Sequence, residues 1–200
     1  MRSWGRAALP PIIVLVIGAC VAEPPRSGAE EGVAGEELDT AAAGAALAPL
    51  GFDTSWVVTA EGVGPVRVGM TTEDVSVVLG GAIDAPDDLG DCGYISPPGL
   101  PDGVAVMVVD GRVVRVEVRA GDIATAEGAR IGSTEREIHA LYPGRVEVRP
   151  HKYTAGQYLI VTPAGPAGED YRIVFETDGR VVERYRAGAL PFVEWVEACA

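Results

Sequence analysis

RVGMTTEDVSVVLG (67–80) and RIGSTEREIHALYPG (130–144) are two stretches with one pattern, and the reading of the fold turns on them. In the first, Thr71 stands at an N-cap position and Asp74, three residues on, at the acidic position of a capping box. Met70 before the cap and Val75 after it form a hydrophobic staple. Val75, Val78 and Leu79 fall at i, i+3 and i+4, so they share one face of a short helix that Gly80-Gly81 ends. In the second, Thr134 is the cap, Glu137 the box partner, Ile138, Leu141 and Tyr142 the apolar face, and Pro143-Gly144 the stop. Met70 becomes Ser133 and Ser76 becomes His139, so the copies share caps and apolar positions rather than chemistry. That is the mark of a repeated structural unit.

Strand signals follow each helix. VAVMVVDGRVVRVEV (104–118) and YRIVFETDGRVVERY (171–185) each place Asp-Gly, the residue pair a type I′ turn favours, between β-branched runs. In the first, Val114, Val116 and Val118 alternate with Arg115, Glu117 and Arg119, which predicts a sheet with one wet side. In the second, Val181 and Tyr185 bracket Glu183 and leave the register open. Earlier strands are predicted over 93–95 and 157–162. The fold expected is therefore α+β: two tandem helix-plus-antiparallel-sheet repeats, about 61–119 and 124–188, forming one continuous sheet with helices on one face.

Working outward, the chain begins with Arg2 and Arg6, an apolar run and Ile17-Gly18-Ala19-Cys20, the layout of a signal peptide over 1–19. A transmembrane anchor is the alternative, but the run falls short of the roughly 20 apolar residues that span a bilayer and is interrupted by Pro10 and Pro11. Residues 20–51, rich in Ala, Gly and Pro, carry Glu23, Glu30, Glu31, Glu36, Glu37 and Asp39 against the single base Arg26. So little apolar bulk cannot offset the entropy of ordering, and the segment reads as a disordered stalk. The remainder, 52–200, is one domain's length with enough apolar content for a core.

The net charge of −13 would repel phosphate backbones, which argues against nucleic-acid binding. The absence of Asn and the single Lys152 reflect composition bias without functional content.

Small residues before Cys20 resemble the lipobox of bacterial lipoproteins. The resemblance implies that Cys20 is acylated and becomes the first residue of the mature chain, with several acyl chains anchoring it firmly. Val21 in place of an Asp retention signal leans toward an outer membrane, where one exists. Cys92 and Cys199 then remain, and in an oxidising envelope their default is a disulfide, with two buried free thiols as the alternative. Closing so long a loop stabilises by roughly 4 to 5 kcal/mol in the chain-entropy model. The tail LPFVEWVEACA (190–200) is too apolar to float free and is expected to pack as an edge strand or short helix.

VGMTTEDVSVVLG (68–80) also resembles the G-M-T-x-x-x-V-x-x-x-L-G signature of the SmpA/OmlA lipoproteins of outer-membrane assembly. It is similar as well to the repeated unit of the secreted β-lactamase inhibitory proteins. The likeness covers about a dozen positions with an echo over 132–144, and no partner-binding residue is carried over. Fold likeness of this kind does not confer function.

Catalytic arrangements are sparse. Ser133 sits at a helix start, where capping is its natural role. His139 lies mid-helix, and His151 is flanked by Arg149 and Lys152, a setting that disfavours its protonated form. Asp84, Asp87, Asp88 and Asp91 surround Pro86 without an EF-hand pattern and read as a solvated loop. SPPGLPDG (96–103) reads as a rigid connection or recognition loop. No cofactor or metal set is predicted. Tyr94, Tyr153, Tyr158, Tyr171 and Tyr185 lie on or near predicted strands, and such rings on an open sheet face suit protein recognition. Core packing or strand pairing is the competing role for each ring.

The function expected is thus a membrane-tethered, non-catalytic protein-binding module of the cell envelope, with envelope assembly as one role of that kind and an envelope protein as partner. The alternatives are an inhibitor of a secreted enzyme such as a β-lactamase, and a small-ligand or metal-dependent enzyme built on the histidines.

Overall fold

The computed structural model describes residues 55–83 and 91–199. The expected signal peptide and stalk, with Cys20, and also Asp84, Asp87 and Asp88, lie outside the described residues. No helix among the described residues is long and apolar enough to cross a membrane.

Strands dominate. β1 (Val58–Thr59), β2 (Gly62–Val63) and β3 (Val66–Arg67) form a small three-stranded antiparallel sheet. Then come α1 (Thr72–Leu79), β4 (Cys92–Ile95), β5 (Val104–Val109), β6 (Arg112–Val118) and α2 (Glu135–Leu141). β7 (Val146–Pro150), β8 (Gln157–Val161), the single-turn α3 (Ala167–Asp170), β9 (Tyr171–Thr177) and β10 (Val182–Ala189) follow. A 3-10 turn, Phe192–Glu194, lies in the C-terminal tail. The large sheet is antiparallel with order β4-β5-β6-β10-β9-β8-β7.

Two tandem helix-plus-sheet repeats are not what forms. One half of the chain spends its first three strands in a separate sheet and gives three to the large one, whereas the other gives four. The helices are minor elements of eight and seven residues. α1 fully buries only Val75 and Leu79, and α2 only Ile138, so two-turn helices cannot roof the sheet as repeat units would. β1–β3 supply part of the cover, since Val58, Val63 and Val66 join the main core.

Matching caps do not imply matching units, because capping is local. Both boxes are present: Thr71 N–H donates to Asp74 Oδ2 at 2.9 Å and Thr134 N–H to Glu137 Oε2 at 2.7 Å, each returned to the threonine hydroxyl. A cap satisfies the first-turn N–H groups whatever the surrounding strands do.

β5 and β6 meet in the expected two-residue turn, with Asp110 and Gly111 both at positive φ (49° and 73°). Asp178-Gly179 is different: Asp178 Oδ1 accepts from the Arg180 and Val181 amides at 2.8 Å, an Asx-type loop, and a register shift follows between Val182 and Arg184. A second irregularity, between Met107 and Val108 opposite Val113–Arg115, breaks the strict alternation of β6. Val113, Val116 and Val118 therefore enter the main core and Val114 does not.

The main core lies on one side of the large sheet, with Leu159, Val161, Ile173, Phe175, Tyr185 and Ala187 beside the valines of β5 and β6. On the opposite side Tyr158, Ile160 and Val174 pack with Val193 of the tail in a second cluster. The predicted wet side is thus partly roofed. Arg115 is only 2% exposed because the tail crosses it.

Candidate functional site

β6 and β10 are central neighbours, paired Glu117 to Arg186 and Arg115 to Gly188. Gly188 permits this approach: a Cβ there would lie 2.3 Å from the Val114 carbonyl oxygen. Alternation along the two strands and along β9 brings Arg115, Glu117, Arg119, Arg186 and Glu176 to the tail side. There they border a cavity of about 400 Å³ together with Tyr94, His151, Tyr153, Tyr158 and Arg184. Val196, Glu197 and Ala198 of the tail line the same space.

Two ion-pair groups make the floor. Glu117 binds Arg115 and Arg119, the latter at 2.5 Å, and accepts from the Tyr94 hydroxyl at 2.5 Å. Arg115 also donates to the Tyr94 hydroxyl, and the Arg119 guanidinium lies 4.6 Å from the Tyr94 ring centroid. Glu176 binds Arg186, with Arg184 Nε at 3.4 Å and His151 Nε2 at 3.4 Å. The His151 ring stacks on Tyr158, centroids 4.5 Å apart, while its Nδ1 accepts from the Tyr153 and Thr154 amides.

Burial sets the electrostatics. It would raise the Glu117 carboxyl by itself, but the Arg115 charge and the hydrogen bonds from Tyr94 and Arg119 outweigh it, and the group sits below its ordinary value. Burial lowers Arg186 against the opposing pull of Glu176. It raises Tyr94, helped by the Glu117 hydrogen bond, and it raises Tyr158. Arg115 Nε is buried with no hydrogen bond among the described residues. The Tyr158 hydroxyl is also buried without a well-formed hydrogen bond, close to the Lys152 amide.

Three of the five singled-out tyrosines come together here: Tyr94, Tyr153 and Tyr158. Tyr185 borders the cavity, yet its ring packs in the main core 5.4 Å from Phe175 and its hydroxyl donates to the Ile123 carbonyl at 2.8 Å. Tyr171 packs against the main core as well. For these two, core packing is the role found. Cys92 and Cys199 are disulfide-bonded, with Cα atoms 5.5 Å apart.

The cationic neighbours predicted for His151 are engaged elsewhere: Arg149 pairs with Glu147 and Glu194, and Lys152 with Glu197. Glu176 faces the imidazole instead. His139 is exposed on α2. Among the described residues no three His, Cys, Asp or Glu side chains converge as a metal group would.

Arg115, Glu117 and Arg119 were visible in the sequence as the polar half of an alternating strand. Nothing there showed that the tail would cover them or that Glu176, Arg184 and Arg186 would join them. No known family pattern matches this chain, and no curated protein is recognisably similar to it in sequence.

Proposed function

We propose that this protein is a non-catalytic binding module, tethered to the cell envelope through lipid on Cys20, whose recognition site is the tail-covered cleft and its rim. The observation that supports this reading is the gathering of exposed apolar groups beside the cleft. Tyr153 is 62% exposed, Trp195 38% and Val196 37%. Tyr153 reaches the tail through its hydroxyl bond to Glu197, and the Trp195 ring packs 4.8 Å from Phe192. Exposed aromatic rings around a polar, partly desolvated centre have the make-up of a protein-binding hot spot.

The cleft's charged groups favour binding over chemistry. Its buried arginines and carboxylates neutralise one another as ion pairs. An inhibitor of the β-lactamase-inhibitory kind would need tandem repeats, which the fold does not supply.

A photocrosslinker placed at Tyr153 of the full-length acylated protein tests the proposal in intact cells. The same probe at Val77, exposed on α1, and a Cys20→Ala version serve as controls. Recovery of one dominant envelope protein from Tyr153, absent from Val77 and from Cys20→Ala, is the expected result. Equal recovery from both positions, or none from Tyr153, overturns the assignment of the site.

A further inference from the structure

The C-terminal tail has a held root and a loose tip. In the root, residues 190–195, Val193 is fully buried and Arg186 Nε donates to its carbonyl oxygen at 2.6 Å. Arg115 Nη1 donates to the Phe192 and Trp195 carbonyls at 2.9 and 2.8 Å.

The tip, residues 196–199, makes no backbone hydrogen bond to the root or the sheet among the described residues. Glu197 meets Lys152 Nζ at 2.7 Å and the Tyr153 hydroxyl, but these groups are exposed, and exposed ion pairs hold weakly. Ala198 sits at φ 55°, a left-handed conformation that costs a residue with a side chain about 1 to 3 kcal/mol. What holds the tip there covalently is the bond from exposed Cys199 to Cys92 at the start of β4. Val196, Glu197 and Ala198 are also the tail's whole contribution to the cavity wall.

We propose that the Cys92–Cys199 disulfide is a thiol-operated latch on the roof of this cleft: oxidised, it holds residues 196–199 over the cavity, and reduced, it frees them while the root and sheet stay in place. This rests on the reading of the cleft as the binding site and adds its regulation.

The co-reactant is a dithiol. One of its thiolates attacks the exposed Cys199 sulfur, the disulfide breaks, and Cys92 leaves as a thiolate that takes a proton. The second dithiol sulfur then attacks the mixed disulfide, releasing Cys199 as a thiol. Two electrons and two protons pass to the protein, and the dithiol becomes a disulfide. The Ala198 strain favours release, and the root's buried contacts survive because none involves Cys199.

The chain's two histidines supply a test that needs no partner. His151 lines the cavity and its side chain is 11% exposed, whereas His139 is exposed on α2. Carbethoxylation by diethyl pyrocarbonate, mapped by peptide mass spectrometry, is followed in the full mature chain oxidised, reduced with dithiothreitol, and as Cys199→Ser. The His151 rate relative to His139 is expected to rise about tenfold on reduction and in Cys199→Ser, equivalent to about 1.4 kcal/mol of easier local opening. Far-UV circular dichroism is expected to stay unchanged. An unchanged ratio overturns the latch, as does a raised ratio accompanied by loss of sheet signal, since the bond would then be a staple of the whole fold. Neither result depends on the crosslinking outcome, so latch and binding module stand or fall separately.

Discussion

Arg115 Nη1 donates to the carbonyl oxygen of Trp195 at 2.8 Å, tying the middle of a central strand to a tail 80 residues further along the chain. A guanidinium 2% exposed is tolerated because both of its terminal nitrogens meet an acceptor or a counter-charge, Glu117, the Tyr94 hydroxyl and the tail carbonyls, which leaves only Nε without a hydrogen bond among the described residues. Arg115→Ala removes them together and leaves the Glu117 carboxylate with Arg119 as its remaining cation. Breaking such a buried pair costs about 3 to 5 kcal/mol, and urea unfolding of Arg115→Ala is expected to show a loss of that size. Arg115→Met keeps the bulk without the charge and is expected to lose less.

Acid stability follows from Glu117. Its carboxyl is held below the ordinary value of 4.5 despite burial, because Arg115 and the hydrogen bonds of Tyr94 and Arg119 favour the charged form. The unfolded chain therefore takes up a proton first. The contribution is fully present above pH 4.5 and declines as the pH falls through the folded value beneath it. Urea midpoints measured at pH 6, 5, 4 and 3 are expected to fall more gently for Glu117→Gln than for the wild type, from a lower starting point.

The alkaline limb has the opposite sign. Burial pushes Tyr142 and Tyr185 above their ordinary 10.0, so the folded protein keeps these protons after the unfolded chain has lost them. Their stabilisation is complete below pH 10 and falls as the pH rises beyond it. Absorbance at 295 nm during an alkaline titration is expected to show these phenols ionising together with loss of the circular dichroism signal, not ahead of it.

The second capping box offers a local test. Thr134 Oγ1 accepts from the Glu137 amide at 3.2 Å, and Glu137 answers at the Thr134 amide at 2.7 Å. Thr134→Ala is expected to cost about 1 kcal/mol of unfolding free energy while leaving the tail and the cleft unaffected.

Cys199→Ser is expected to lower global stability by roughly 2 to 5 kcal/mol, through the freedom it restores to the unfolded chain. Far less of that loss should appear as local loosening of β5, β6 and β10, since the bond joins the edge strand β4 to the tail's tip. Hydrogen exchange of the central strands, compared with the denaturation midpoint, separates the two effects.

The sequence by itself determined the elements whose information is local. Both helix caps, the Asp110-Gly111 turn and the strands near 93–95 and 157–162 formed where their residues placed them, because caps, turn preferences and β-branched runs act within a few residues. The Cys92–Cys199 pair was legible from the cysteine count on the expectation that Cys20 carries lipid. Tertiary structure alone decided how the pieces combine. Repeated caps on 67–80 and 130–144 suggested equal units, yet β1–β3 closed into a sheet of their own and the large sheet joined β6 to β10. A strand pairs with whichever partner lets its apolar side reach the core, and a cap is blind to that choice. The site was hidden for the same reason. Arg115, Glu117 and Arg119 looked like a solvated face because alternation says which side a residue takes, not what will cover it. Only the path of residues 190–199 across β6 and β10 turned that face into a cleft.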